Sequence, residues 1–241
     1  MDDVAIAMLP ELGRGRDFIA RRHGELVIRE PRTERARGKL VVERAVREAI
    51  APAFPTLVAA PIACDLPAPL FAYRWVDGRP IVAPPRAHFV DTFAQFVCAL
   101  HTAVLPMTVD PAPQTVVRRF QAIVRGRYLP QLPPEERTRY EPAAIADVPG
   151  SVTRCPQHGD LAARNLLVDD AGQLVAILDW SDCVISDPAI DFGAIAQWGG
   201  ADVLDEMLAR TGRAADRALR ERARIVGVLL SVVDHVHAQG A

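Results

Sequence analysis

Lysine is nearly missing from this sequence. Lys39 is the only lysine among 28 strong bases, and every other one is arginine. Any role that usually requires a lysine must therefore fall on Lys39 or be taken over by an arginine. Cysteine is also scarce: the chain has four, Cys64, Cys98, Cys155 and Cys183, and no two of them form a C-x-x-C pair. This spacing excludes the common zinc-site and disulfide-framework patterns.

Long apolar runs and one-sided charge are absent as well. No uninterrupted apolar stretch approaches the roughly 18–20 residues needed to cross a bilayer, and the formal net charge is only −2. The sequence therefore predicts no membrane span and no electrostatic affinity for nucleic acid. The first residues, MDDVAIAMLPELG, are acidic and lack the basic start of a secretory signal. Together with the unpaired cysteines, this favours a reduced, cytoplasmic setting.

What is present is an ordinary core-forming composition, 50% hydrophobic and 24% charged. The hydrophobic patterns predict a strand-rich first third and a mainly helical remainder. Residues 16–31 and 69–81 have the alternation of strands, and residues 37–54 have helical spacing that ends at Pro52. The later segments are predicted as helices over 88–105 and 115–129, a Pro-rich loop with at most a short helix over 130–142, a hairpin over 165–178, and further helices to the end.

The most informative stretch is HGDLAARNLLV, residues 158–168, followed by VAILDWSD, residues 175–182. Hairpin geometry brings the residues before its first strand close to those after its second, so Asp160 and Asn165 are predicted to lie beside Asp179. Two carboxylates and an amide oxygen form a hard-oxygen set suited to Mg²⁺, especially when the ion already carries phosphate oxygens. Phosphoryl transfer needs such a set, because one aspartate orients the attacking hydroxyl while an asparagine and a second aspartate hold the metal.

These motifs resemble those of a known family. HGDLAARN, ILDW and DPAIDF (residues 187–192) occur in the order and at about the spacing of the aminoglycoside phosphotransferase and choline kinase-like family, relatives of the protein kinases. The resemblance implies a two-lobed α+β, protein-kinase-like fold. A small antiparallel sheet with one helix is expected over residues 1–76, and a mainly helical lobe that carries the catalytic hairpin is expected over residues 77–241.

The same resemblance implies a role for each motif residue. Asp160 is expected to be the catalytic aspartate, and His158 is expected to orient its loop. Asn165 and Asp179 are expected to be the metal ligands. Asp191 is expected to support the catalytic loop by hydrogen bonding without touching substrate.

The nucleotide site is expected in the first lobe. Arg29 occupies the place where protein kinases have a phosphate-binding lysine, and Glu43 is its expected ion-pair partner. Lys39 lies one turn before Glu43, where a solvated (i, i+4) pair is the natural role. The segment LGRGRDF supplies only part of a glycine-rich loop. The hinge whose backbone is expected to meet the purine comprises Tyr73, Arg74, Trp75 and Val76.

The implied activity is ATP- or GTP-dependent phosphorylation of a hydroxyl on a small molecule, with Mg²⁺ as cofactor. The expected acceptor is an antibiotic of the aminoglycoside or macrolide type, or a related natural product. Two alternatives remain open: a metabolite kinase of the same fold, and a non-catalytic, nucleotide-binding regulatory pseudokinase. The chain is expected to be a monomer or homodimer without nucleic-acid or membrane partners. The acidic residues considered for contact with a cationic acceptor are Asp182, Asp202, Asp205 and Glu206.

Overall fold

The computed structural model describes residues 3–62, 66–67, 70–82 and 87–239. Pro69, where a predicted strand begins, and Cys64 lie outside these residues. The N-terminal part contains, in chain order, α1 (Asp3–Ala7), β1 (Glu11–Arg14), β2 (Phe18–His23), β3 (Leu26–Pro31), α2 (Glu34–Ile50), β4 (Pro61–Ile62) and β5 (Ala72–Arg74). The rest contains β6 (Arg79–Pro80), α3 (Ala87–Thr102), α4 (Val116–Ile123), α5 (Pro134–Ile145), β7 (Cys155–Gln157), β8 (Leu166–Val168), β9 (Leu174–Ile177), β10 (Val184–Ser186), α6 (Ala189–Arg210) and α7 (Arg217–Gln239).

The N-terminal strands form one antiparallel sheet in the order β1–β2–β3–β5–β4. A tight turn at Gly24, with φ +60°, joins β2 to β3. One face of the sheet packs against α2 through Phe18, Val27 and Leu40. The other face packs against α1 through Ile6. The two strands predicted within residues 16–31 are therefore confirmed as β2 and β3. Helix α1 is a second helix beside the one that the sequence predicts for this part of the chain.

Helix α2 begins three residues earlier than its apolar pattern predicts. The Thr33 hydroxyl caps it by accepting a hydrogen bond from the Ala36 backbone N–H at 3.1 Å, as Ser and Thr commonly do at helix N-termini. The helix ends at Ile50, two residues before Pro52. Its C-terminal part leaves the sheet and packs into the core of the second lobe through Val46 and Ile50. This helix therefore links the two lobes.

The second lobe is built on apolar faces of α3, α6 and α7. An aromatic cluster in its core joins Phe93 and Phe96 of α3 to Trp180 and Trp198. Helices α6 and α7 approach closely at Gly193, where an added Cβ would lie 2.2 Å from a Val226 methyl group. No helix among the described residues has both the length and the apolarity to cross a membrane.

Most of the segment predicted as a Pro-rich loop with at most a short helix belongs to a helix of 12 residues. Helix α5 spans Pro134–Ile145 and includes Pro142. Its start is compatible with proline, because the first-turn N–H groups of a helix have no partner within it. Glu135 and Glu136 lie in the first turn, where negative charge is favoured by the helix dipole. The burial of Tyr140 holds the helix against its neighbours. The preceding predicted helix also differs, since α4 ends at Ile123 and continues as a π-helical turn over Val124–Tyr128.

The predicted hairpin is confirmed as β8 and β9, with Leu166 opposite Ile177. Strand β6 extends this pair into a small three-stranded sheet. The register places Asn165, just before β8, close to the chain after β9: the Leu178 backbone N–H donates to the Asn165 carbonyl oxygen at 2.8 Å. The fold therefore brings the residues on either side of the hairpin to one edge.

Candidate active site

Asp191, a fully buried residue in the first turn of α6, holds the loop that precedes the hairpin. One of its carboxylate oxygens accepts the His158 backbone N–H at 3.0 Å, and the other accepts the Gly159 N–H at 2.9 Å. His101, from α3, lies 3.1 Å from the first oxygen through its Nε2. The carboxylate thus holds two consecutive amides of the loop, and Asp191 does not line the cavity described below.

His158 ties the same loop to the end of β9. Its Nδ1 accepts the Asp160 backbone N–H at 3.3 Å, and its Nε2 lies 3.0 Å from the Leu178 carbonyl oxygen. The first contact requires a bare Nδ1 and the second a protonated Nε2. Burial lowers the pKa of His158 below its ordinary value, which agrees with a neutral ring in this one tautomer.

Gly159 occupies a position that no other residue fits. Its φ is +85°, and a Cβ there would lie 2.2 Å from the Asp182 carbonyl oxygen. The loop before the hairpin and the segment after β9 therefore approach each other through this glycine. This close approach explains the Gly between His158 and Asp160 in the sequence.

Asp160 lies at the loop tip with its side chain 25% exposed. Asn165 donates through Nδ2 to one carboxylate oxygen at 2.9 Å and to the Asp160 backbone carbonyl at 2.9 Å. Arg164 donates through one Nη to both carboxylate oxygens, at 3.0 and 2.8 Å. Burial raises the pKa of Asp160 above its ordinary value, and the nearby Asp179 charge adds to this rise.

Asp179 is the one described non-glycine residue with a positive φ, at φ 55° and ψ 71°. Such backbone conformations are uncommon outside glycine and concentrate at functional sites. One carboxylate oxygen accepts the Ser181 hydroxyl at 2.8 Å and the Arg29 guanidinium at 2.8 Å. Burial alone would raise the pKa of Asp179, but the Arg29 charge and these hydrogen bonds lower it to about 2. The carboxylate is therefore charged at neutral pH.

Arg29 connects the first lobe to this edge. Its second Nη donates to Glu43 on α2 at 2.6 Å, so the expected ion pair with Glu43 is formed. Glu43 is fully buried and also accepts from Arg47 at 3.0 Å. Burial alone would lower the pKa of Arg29, but the two carboxylates raise it above its ordinary value. The guanidinium also lies over the Phe18 ring, 4.1 Å from its centroid.

The oxygen atoms of this edge fit a magnesium ion that also carries phosphate. The Asp179 side chain is 39% exposed, and Asn165 uses its Nδ2 for Asp160, which leaves its amide oxygen as a donor to a metal. The described residues contain no cluster of three or more His, Cys, Asp or Glu side chains able to hold a metal. A magnesium ion here would therefore take its remaining ligands from phosphate and water, as is usual for Mg²⁺.

The predicted solvated pair between Lys39 and Glu43 is wrong. Lys39 Nζ lies 2.7 Å from Asp17 and 2.6 Å from Asp182, and its side chain is only 14% exposed. Glu43 is turned inward to Arg29. The lysine therefore links the loop before β2 to the segment after Asp179. Asp182, predicted to meet substrate, is occupied by this ion pair.

Only part of the predicted hinge has backbone groups that are free to bind a nucleotide. Tyr73 and Arg74 are paired within the sheet, and the Trp75 backbone N–H donates to the Glu25 carbonyl at 2.8 Å. Val76 is the first hinge residue beyond these bonds. The contact with a purine therefore remains a prediction for Val76 and is not supported for the Trp75 amide.

A cavity of about 410 Å³ opens beside Asp160, between α4, α6 and α7. The acidic residues predicted to bind substrate do not line it: Asp202 is exposed on α6, Asp205 pairs with Arg220, and Glu206 pairs with Arg210. Besides the predicted Asp160, the charged and polar residues that line it are Arg119, Arg164, Gln197 and Asp234, which sequence reasoning missed. Arg164 had a usable signal, since it is four residues from Asp160 within the motif.

Comparisons with known proteins agree with this geometry. A family model described as "Phosphotransferase enzyme family" matches residues 11–226. The viomycin phosphotransferase of Streptomyces vinaceus is 31% identical over 133 residues, which are 53% of this chain and 46% of that protein. The matched region thus spans less than half of this curated relative.

Solved structures share the fold. The GDP complex of wild-type aminoglycoside 2'-phosphotransferase-IIIa has a TM-score of 0.70 at 18% identity, covering 98% of this chain and 88% of that one. A macrolide 2'-phosphotransferase from Brachybacterium faecium has a TM-score of 0.65 at 22% identity, with coverage of 98% and 88%. The two-lobed α+β fold expected from the motifs is confirmed. The family match covers most of the chain, and this protein belongs to the phosphotransferase enzyme family.

Proposed function

We propose that this chain transfers the γ-phosphoryl group of ATP or GTP to a hydroxyl of a small molecule, an antibiotic or a related natural product. The observation that carries the proposal is the convergence of Asp160, Asn165 and Asp179 at one edge of the hairpin, where Asp160 also lines a cavity large enough for such an acceptor. The resemblance to viomycin phosphotransferase supports an antibiotic as acceptor. The fold shared with a GDP complex supports a nucleotide as donor.

Asp160 is the residue proposed to act on the acceptor. Its carboxylate accepts a hydrogen bond from the hydroxyl and holds the oxygen in line with the γ-phosphorus. As the new O–P bond forms, the bond from that phosphorus to the bridging oxygen of the nucleoside diphosphate breaks. The hydroxyl proton passes to Asp160 and then to solvent. The raised pKa of this carboxylate strengthens it as a proton acceptor.

Asn165 and Asp179 are proposed to hold Mg²⁺, and Arg29 is proposed to pair with phosphate oxygens. When bound, Mg²⁺ supplies positive charge that neutralises the phosphates. The Arg29 guanidinium already lies 2.8 Å from Asp179, so its charge is at the edge where the phosphates must lie. Asp191 and His158 keep the loop rigid, so that Asp160 keeps its place during the reaction.

The test is a transfer assay with purified protein, Mg²⁺ and either ATP or GTP across hydroxylated antibiotics and metabolites. The expected result is a mass gain of one phosphoryl group on at least one antibiotic, with one nucleoside diphosphate formed per product. Phosphorylation of metabolites alone would favour the metabolite kinase. Nucleotide binding without transfer to any compound would contradict the proposal and favour the regulatory pseudokinase.

A further inference from the structure

The cavity beside Asp160 has walls of a definite chemical character. Ten of the sixteen residues that line it are apolar. Val116 and Phe120 of α4 contribute one wall, and Leu230 and Val233 of α7 contribute the opposite one. A volume of about 410 Å³ falls in the range of sites that enclose drug-sized molecules. The occupant must therefore present a broad apolar face.

The positive charges of the cavity are already neutralised by protein carboxylates. Arg119 donates to the buried Asp110 at 2.5 Å. Arg164 donates to both oxygens of Asp160. Neither guanidinium therefore calls for an anionic acceptor, and the carboxylates that pair with them are not free to bind the several ammonium groups of a polycation.

The carboxylates that line the cavity can pair with one cationic group of the acceptor. Asp160 is reserved for the reacting hydroxyl. Among the described residues, Asp234 is the one other carboxylate that lines the cavity; Gln197 donates to one of its oxygens at 2.9 Å. Within the part of the chain that the structure describes, Asp234 has no ion-pair partner among arginine, lysine or histidine side chains. A single ammonium group on the acceptor would form an ion pair with the Asp234 carboxylate.

From this arrangement we propose that the acceptor is an amphipathic alcohol with an extended apolar face and a single amine, which pairs with Asp234. The inference rests on the phosphotransferase activity proposed above. It sets this chain apart from enzymes that accept polyamine sugars. A polycation would leave most of its ammonium groups against apolar walls without a partner, and burying an unpaired charge is strongly unfavourable.

The experiment measures binding by calorimetry and transfer by mass spectrometry on the same compounds. The compounds are a macrolide with one amino sugar, the same macrolide with its amine removed, the polycationic kanamycin, and viomycin. We expect the monocationic macrolide to bind at least about tenfold more tightly than kanamycin or viomycin. The neutral macrolide should bind with intermediate affinity, because it keeps the apolar contacts and loses the ion pair.

Three variants assign the residues. Asp234→Asn should weaken the binding of the monocationic macrolide by about two- to tenfold, the range of a partly exposed ion pair. The binding of the neutral macrolide should not change. Leu230→Gln should weaken both macrolides. Glu221→Gln, which removes an exposed carboxylate from the same helix outside the cavity, should change neither.

The outcomes separate this inference from the proposed function. Tightest binding of kanamycin or viomycin, with transfer to it, would overturn the inference and leave the phosphotransferase activity standing. If Asp234→Asn weakens the binding of both macrolides equally, the proposed ion pair with Asp234 is overturned. The expected order of binding without transfer to any compound would support the cavity's preference and overturn the proposed activity.

Discussion

The contact between His101 and Asp191 makes a quantitative prediction about stability at alkaline pH. Burial alone would lower the pKa of His101, but the hydrogen bond to Asp191 and the charge of that carboxylate raise it from 6.5 to about 9. The side chain of His101 is 2% exposed and that of Asp191 is fully buried, so solvent screens the pair little. The imidazolium therefore stabilises the folded state as long as it keeps its proton.

The direction in which the free energy of unfolding changes with pH follows from the pKa of His101 in the unfolded and folded states. A group whose pKa is higher in the folded state stabilises fully below its unfolded pKa of 6.5 and loses this contribution as the pH rises through about 9. A difference of this size corresponds to about 3 kcal/mol in all, of which roughly 2 kcal/mol disappears between pH 7 and pH 9.5.

The assay is urea unfolding of wild type and His101→Gln at half-unit steps from pH 6 to pH 10. Glutamine keeps an N–H donor for Asp191 and cannot titrate in this range. The expected result is a free energy of unfolding that falls with pH more steeply in wild type than in the variant, by about 2 kcal/mol between pH 7 and pH 9.5. Parallel curves for the two proteins would refute the assignment of a charged His101, since every other titrating group is common to both.

Three further outcomes follow from the buried contacts. Glu43→Gln should lower the free energy of unfolding by about 3–5 kcal/mol in denaturant titrations, because it leaves the buried Arg47 guanidinium without a carboxylate and removes one of the two carboxylates that pair with Arg29; a loss below about 1 kcal/mol would contradict it. Gly159→Ala should abolish transfer while leaving helix content by circular dichroism near wild type, because its Cβ would collide with the Asp182 carbonyl; an active variant would show that the loop does not need this approach. Arg29→Ala should raise the apparent dissociation constant for the nucleotide far more than Lys39→Ala does in a titration with ATP and Mg²⁺. The reverse order would contradict the assignment of Arg29 to the phosphates.

The part of the site that was predictable from sequence is the part that is local in the chain. Asp160, Asn165 and Asp179 lie within twenty residues of one another, and a single hairpin brings them together. Hairpin geometry follows from alternation and turn residues, so these positions could be predicted before any tertiary contact was known. Asp191 follows closely in the next motif.

The contacts that sequence reasoning missed are made across the fold. Lys39 and Asp182 are separated by 143 residues, whereas helix spacing reveals only neighbours three or four positions away. Helix α5 is longer than the short helix that the sequence allowed, because proline content suggests a loop, whereas the packing of the buried Tyr140 favours the helix. Asp234 could be recognised as an acid on an amphipathic helix, but the side of that helix facing the cavity depends on how α6 and α7 pack.

The central claim is that Asp160 acts on the acceptor hydroxyl and does not hold the nucleotide. The most direct measurement compares Asp160→Asn with wild type in two readouts on the same protein: steady-state transfer to an identified acceptor, and calorimetric binding of ATP with Mg²⁺. We expect turnover to fall by about two to four orders of magnitude and nucleotide affinity to stay nearly unchanged, because Asn165 and Asp179 remain. Turnover close to wild type would contradict the proposed mechanism, and loss of nucleotide binding would make Asp160 a metal ligand instead of the base.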